Sequence, residues 1–280
     1  MSAAMEPRPL VVVAHPDDEI IWLAAAMSAR PTVVAAFPDD PDRPTLTAGR
    51  LDVRAHYPVA GFHFLPLSQA GVVHQSDWLR RAPAPYGVTL SPSCPPDRAR
   101  AYVANYGALV TLLRPHIREH SCIYTHNPWG EYGHEEHIQV FNAVTSLARD
   151  PGQSVWVWDG PPAWRLLADG VGLRYSYFGR RVRGLPRRRL RIDIPLYQSI
   201  KQLYMSCHAW TWAPAYEPPQ PSTYLQVVRD GQLLVTPRRK APNTSRLVCA
   251  AAYAAARGTR AVLGRGRTEE TISLKSAEGG

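Results

Sequence analysis

Four cysteines in 280 residues, Cys94, Cys122, Cys207 and Cys249, are too few and too scattered to staple a fold, and no two form a CxxC pair. That spacing excludes a disulfide scaffold, so reduced thiols are the expectation. No apolar run approaches the roughly 20 residues of a membrane-spanning helix. The opening MSAAMEPRP carries an acidic residue and no apolar stretch, so it does not read as a secretory signal and cytoplasmic residence is expected. A glycine-rich phosphate loop is also lacking. No GxGxxG follows the first apolar run, and Ile20-Ile21-Trp22 is too bulky there for close phosphate approach, which argues against nucleotide binding. Internal repeats are absent.

What remains is ordinary in amount: 45% hydrophobic and 20% charged residues, enough for one large domain or a domain with an appendage. The net charge of +9 is unusual in its distribution. Arg180, Arg181, Arg183, Arg187, Arg188, Arg189 and Arg191 crowd into one stretch. Such a cluster could meet an anionic partner. Few aromatics interleave with it as stacking platforms would require, so a solvated loop and strand is the plainer reading, and nucleic acid is not expected.

Hydrophobic patterning predicts strands at Leu10–Ala14, Thr32–Phe37, Phe62–Leu65 and Cys122–Thr125. Helices are expected over Glu19–Ala29, Thr45–Tyr57, Pro96–Arg114 and Glu135–Ala148. The alternation gives a parallel sheet with helices on both faces. Gln69–Pro96 reads as a long excursion, a candidate lid. After about Asp150 the character changes. Strands at Val155–Trp158, Leu190–Ile194 and Leu225–Val228, a helix at Tyr197–Ala209, and a turn at Asp230-Gly231 leading into Gln232–Pro237 suggest a smaller mixed subdomain. The expected organisation is therefore a Rossmann-like α/β core over 8–150, a mixed subdomain over 151–264 that completes the site, with a last helix near Ser245–Arg257, and a tail over 265–280.

Two segments carry the chemistry: VVVAHPDDE at Val11–Glu19 and YTHNPWGEYGHEEH at Tyr124–His137. Each follows a buried strand, where open α/β sheets place their sites. His15 and Asp18 are three apart beyond the first strand, and His134 and His137 are three apart where a helix begins. A hydrolytic zinc needs about three protein ligands and one open position, so four candidates leave one free. Asp17 is also left over and could take a proton from water. Taken singly, Asp17 or Asp18 could merely cap a helix, and Glu135 and Glu136 suit a helix's first turn. Together they read as a divalent-metal hydrolase.

These residues resemble the PIG-L or LmbE-like zinc-dependent N-acetylglucosaminyl deacetylases, through AHPDDE at Ala14–Glu19 and GHxxH at Gly133–His137. The resemblance covers roughly Leu10–Phe141. It implies Zn2+ on His15, Asp18 and His137, with other divalent metals able to substitute. It implies Asp17 as general base, His134 as a cationic donor or acid held by Glu136, and Tyr132 polarising the amide carbonyl. The implied reaction releases acetate and a free amino sugar. Arg50 and Trp129 are the candidate substrate contacts, and the tryptophans at 156, 158, 164, 210 and 212 are sugar platforms or core.

The chain departs from its relatives where bulky Ile20-Ile21-Trp22-Leu23 replaces a small glycine-rich stretch, and where Arg50 stands without the usual Arg-x-x-Glu pair. Two other readings remain open: an amidase acting on another acyl amide, and a catalytically inactive carbohydrate-binding protein. The expected partner is an amino-sugar glycoconjugate with an anionic or lipid-linked aglycone, and self-association is left open.

Overall fold

The computed structural model describes residues 8–76, 82–160 and 184–235. The first strand, β1 (Leu10–Val13), is four apolar residues with every side chain buried. Leu10 and Val12 join one apolar cluster and Val11 and Val13 another. Burial on both faces is what places a strand in the middle of a parallel sheet. β1 pairs in parallel with β2 (Thr32–Ala35) on one side and with β6 (Cys122–Thr125) on the other. β3 (Phe62–Phe64) continues beyond β2, and β7 (Ser154–Trp158) beyond β6, both parallel.

The order β3-β2-β1-β6-β7 reverses direction between β1 and β6. This is the doubly wound, Rossmann-like arrangement, and its crevice opens at the carboxyl ends of those two strands. β9 (Ser222–Arg229) then adds antiparallel to β7, with β8 (Arg187–Leu190) and β10 (Gln232–Leu233) antiparallel to β9, completing an eight-stranded sheet. The boundary expected near residue 150 therefore falls inside one sheet, because ladder hydrogen bonds run straight through β6, β7 and β9. The tail and the helix at Ser245–Arg257 lie outside the described residues.

One face is covered by α4 (Pro96–Arg118) and α5 (Glu135–Leu147), through Leu109, Leu113, Ile117, Ile138, Phe141 and Val144. The other carries α3 (Pro44–Ala55) and α6 (Ile194–Ser206), through Leu46, Val53, Leu196, Ile200 and Tyr204. The short pair β4 (Pro83–Ala84) and β5 (Gly87–Val88) lies within the long excursion.

Three local expectations change. The helix expected over Glu19–Ala29 is two short turns, α1 (Asp18–Ile21) and α2 (Ala24–Met27), broken at Trp22-Leu23. Leu23 leaves helical geometry and its carbonyl starts the second turn, accepting from the Ala26 and Met27 N–H groups. α4 runs past Pro115, which removes one N–H but does not outweigh Ile117, buried two residues on, whose carbonyl accepts Gln153 Nε2 at 2.7 Å. The strand placed at Leu190–Ile194 lies earlier, on Arg187–Leu190, and Ile194 opens α6 behind Asp193, whose side chain caps the Leu196 N–H.

The Asp230-Gly231 turn takes positive φ at both residues, as a two-residue hairpin loop needs. A Cβ at Gly231 would also overlap the Arg149 carbonyl. Gly231→Ala should cost at least the roughly 1–2 kcal/mol of left-handed backbone strain. A drop in the urea midpoint at unchanged slope checks this, and an unchanged midpoint contradicts it.

Candidate metal centre

The two motifs meet because β1 and β6 are neighbours. Ala14 N–H, just past β1, donates to His126 Nε2, just past β6, at 2.8 Å. Thr125 Oγ1 ties the same ends together by donating to the Val12 carbonyl. Segments more than a hundred residues apart in sequence thus share one crevice.

Asp18 is the hub, and its two oxygens have different company. Oδ2 accepts from the His15 N–H at 2.9 Å and lies 3.1 Å from His15 Nδ1, 3.3 Å from His137 Nε2 and 3.5 Å from His126 Nε2. Oδ1 accepts from Trp22 Nε1 at 3.0 Å. Burial would raise the Asp18 pKa, but the surrounding imidazoles outweigh it and hold the carboxyl well below its usual range. Among the described residues, two sets of three side chains could each bring ligand atoms within 4.8 Å of one another: His15, His134 and His137, and Asp18, His126 and His137.

The hydrogen bonds sort these candidates. His137 Nδ1 lies 2.7 Å from Glu131 Oε2, which makes it the donor and leaves a lone pair on Nε2. That Nε2 is buried without a hydrogen-bond partner, facing the Asp18 carboxylate. Two electron-rich atoms at contact distance, one of them orphaned, are what a cation would satisfy. His15 presents Nδ1 to Asp18 and Nε2 to Glu136 Oε2 at 2.9 Å. Burial opposes charge on His15, yet the two carboxylates prevail and raise its pKa.

His126 has both nitrogens committed, Nε2 to the Ala14 N–H and Nδ1 to Glu131 at 3.0 Å. Burial lowers the His126 pKa, and the nearby carboxylates reverse that and push it up to about 9. The donated backbone N–H argues the other way, since a nitrogen that accepts cannot carry a proton, and the geometry favours a neutral ring. His126 is therefore a structural tie. His15, Asp18 and His137, the ligands that the resemblance implies, lie together in this crevice with His134 beside them, although neither set of three joins all of them.

Asp17 sits at the N-cap position of α1 but makes no cap with its side chain. Its backbone is left-handed (φ 97°), strain of the kind that collects at functional sites. Oδ2 accepts from the Thr211 N–H at 2.8 Å and Thr211 Oγ1–H at 2.7 Å, while Oδ1 is buried and unpartnered. Burial, reinforced by the Asp18 charge, pushes its pKa up to about 7 against the pull of Arg50 and Thr211. Thr211→Val keeps the N–H and removes the hydroxyl. We expect about a tenfold loss in kcat/KM for the reaction that this site carries out, read in steady-state kinetics; an unchanged value would contradict a role for the hydroxyl. Glu19 is buried as well, pushed to about 7 by burial, and accepts both Tyr57 and Tyr204 hydroxyls.

His134 caps α5, its Nδ1 accepting the Glu136 N–H at 3.3 Å. Burial, with His137 and His15 adjacent, drops its pKa well below that of a free imidazole. With Nδ1 accepting that N–H, a proton on the ring belongs on Nε2, and burial works against the cation that the resemblance implies. The Glu136 carboxylate does not hold it either. Its oxygens go to His15 and to the Ala70 N–H at 2.7 Å. Glu135 accepts the His74 and Ser76 N–H groups, both at 2.9 Å, so the two acids between the histidines fasten the start of the long excursion over the site.

Tyr132 stands half-buried at the mouth, its ring centroid 5.7 Å from that of His137 and 5.5 Å from that of Trp212. Arg50 is buried, with Nη1 donating to the Pro38 carbonyl and Nε unpartnered. Trp129 is 4% exposed and belongs to the apolar cluster on the face that α5 covers. Trp156, Trp158 and Trp210 are buried too, Trp212 is partly exposed, and Trp164 is outside the described residues. Of the arginine cluster, Arg188 stacks over the Trp156 ring and bonds the Tyr124 hydroxyl, and Arg187 reaches Asp159, while Arg180, Arg181 and Arg183 are outside the described residues. Cys94, Cys122 and Cys207 are free thiols.

The sequence reading missed His126, Glu131 and Thr211, and noted Trp22 only as a bulky departure. His126 had a signal, since it follows β6 as closely as His15 follows β1. Thr211 had none.

No protein-family model matches the chain, and no curated protein does. Among solved structures, it is similar to the zinc-inhibited form of the teicoplanin deacetylase Orf2, at 13% identity and a TM-score of 0.49 over 79% of this chain and 98% of that one. It is also similar to a deacetylase–teicoplanin complex, at 14% identity and a TM-score of 0.45 over 78% and 97% of the two chains.

Proposed function

We propose that this chain is a metal-dependent amide hydrolase that removes the N-acetyl group from an N-acetylglucosamine-type glycoconjugate. The observation that carries the reading is the pair of orphaned buried atoms, Asp17 Oδ1 and His137 Nε2, in one crevice with Asp18 and His15. Buried polar atoms are mostly paired, and these two orphans fall in the crevice that gathers the candidate ligands.

A divalent metal on His15, Asp18 and His137 supplies Lewis-acid polarisation and acidifies water. The protein's own groups do the rest. Thr211 clamps one oxygen of Asp17 and leaves Oδ1 to take the proton of the attacking water. His134 directs its Nε2–H at the carbonyl oxygen as a hydrogen-bond donor, the Tyr132 hydroxyl is a second donor to it, and the proton taken by Asp17 passes to the departing amine. Glu131 and Glu136 hold the imidazoles of His137 and His15 in the tautomers this arrangement needs. Arg50 Nε is a free donor for a substrate hydroxyl.

The test is elemental analysis of protein purified without added metal, with acetate release from a panel of N-acetylglucosaminides in the same preparation. About one divalent ion per chain, with release lost in Asp17→Asn, supports the reading. Bound metal without acetate release moves it to another acyl amide. No metal, even after zinc is added back, sinks it.

A further inference from the structure

We propose that Trp22 is a positioning residue for the metal ligand Asp18, its indole N–H occupying one carboxylate oxygen so that only the other faces the metal. The inference rests on the metal-hydrolase reading above.

The division of Asp18 is unequal. Oδ1 has Trp22 Nε1 at 3.0 Å, whereas Oδ2 takes all the imidazole contacts. A carboxylate left free at both oxygens can rotate and bind a cation through either or both. One with Oδ1 already accepting a hydrogen bond binds through Oδ2 alone, which favours a low coordination number and an open position. The break between α1 and α2 falls at Trp22-Leu23, immediately beyond the turn that carries Asp18.

The indole cannot easily move. Trp22 is 2% exposed, and its ring centroid lies 5.2 Å from those of Trp158 and Trp212 and 5.9 Å from that of Tyr132. Tyr216 closes the far side, its hydroxyl donating to the Ile21 carbonyl at 2.8 Å. Trp212 and Tyr216 follow Thr211, the clamp on Asp17. One segment after α6 therefore braces both neighbouring aspartates, one directly and the other through Trp22.

The test uses the full chain, stripped of metal and titrated with Co2+, following the visible absorption of the bound ion. Trp22→Phe removes the N–H and keeps an aromatic ring. Trp158→Phe trims the same aromatic cluster without touching that hydrogen bond. We expect Trp22→Phe to bind Co2+ about 10–100-fold more weakly, with a weaker visible band as the freed carboxylate supplies a second oxygen, and Trp158→Phe to behave as wild type. Wild-type affinity and spectrum in Trp22→Phe would overturn the proposal, as would equal losses in both variants, which mean packing alone. Replacing Trp22 by its benzothiophene analogue keeps the bicyclic shape and drops only the N–H, and it reads the same quantity where Trp22→Phe does not fold. A wild-type protein that takes up no cobalt overturns the metal reading itself, a result distinct from any difference between variants.

Discussion

Asp17→Asn is expected to lower kcat/KM for amide hydrolysis by about 10²–10⁴-fold while metal content stays at the wild-type level. The asparagine side chain keeps an oxygen for Thr211, so the clamp on Oδ2 has a replacement, but the amide cannot accept the proton that Oδ1 would take. Metal content is the control, because Asp17 has no contact with the imidazoles that would bind the ion. A variant retaining activity within about tenfold of wild type, at full metal occupancy, would remove Asp17 from the reaction. The pH profile gives an independent reading. Burial raises the Asp17 pKa to about 7, so the carboxyl is mostly protonated below that pH and cannot act as a base. Activity should therefore fall on the acid side, and a bound cation, which favours the carboxylate, moves that limb below about 7. Residual activity of Asp17→Asn should lack the limb.

Glu131→Gln is expected to damage both the metal site and the fold. Glu131 Oε2 accepts from His126 at 3.0 Å and from His137 at 2.7 Å, and Oε1 accepts the Asn127 N–H at 2.9 Å. All three donors are buried. A glutamine has one acceptor oxygen, so whichever way it points, at least one buried donor meets an NH2 group instead. An unsatisfied buried donor costs roughly 1–3 kcal/mol, and loss of a charged acceptor more. A fall in Tm on the order of 10 °C follows for a chain of this size. The His137 ring would also lose what fixes its tautomer, with an expected 10–100-fold loss in zinc affinity. Differential scanning calorimetry of the metal-free protein separates the first effect from the second, which competition with a chelator reads. Wild-type values in both would reduce Glu131 to a bystander.

Both predictions turn on contacts that differ in how visible they are in the sequence. The strand ends were legible, because Val11-Val12-Val13 and Ile123-Tyr124 are short apolar runs that stop at polar residues. His15, Asp18, His134 and His137 were legible for the same reason, as pairs spaced by three at those ends. The partners of these residues were not. Glu131 reads as one acid among several, and its role depends on a left-handed backbone that turns it toward two histidines at once. Glu136 read as the holder of His134, its close neighbour in sequence, whereas its carboxylate crosses to His15. Trp129, in the same motif, read as a substrate contact, and its side chain belongs to the buried core cluster. Local spacing says which side chains share a stretch of backbone, and says little about which of them face each other across a crevice.

By itself the sequence determined the doubly wound alternation, the two strand ends that carry polar clusters, and the residue types able to hold a divalent metal. These follow from periodicity and from what strands and helices do to side-chain direction. Only the tertiary structure decided that β1 and β6 are neighbours and that β7 to β10 extend the same sheet. It also decided that Thr211 and Trp22 hold the two aspartates, and that His126 is tied to the backbone of Ala14. Those outcomes rest on contacts between residues up to 194 positions apart, which form only when the sheet assembles and which no local pattern encodes.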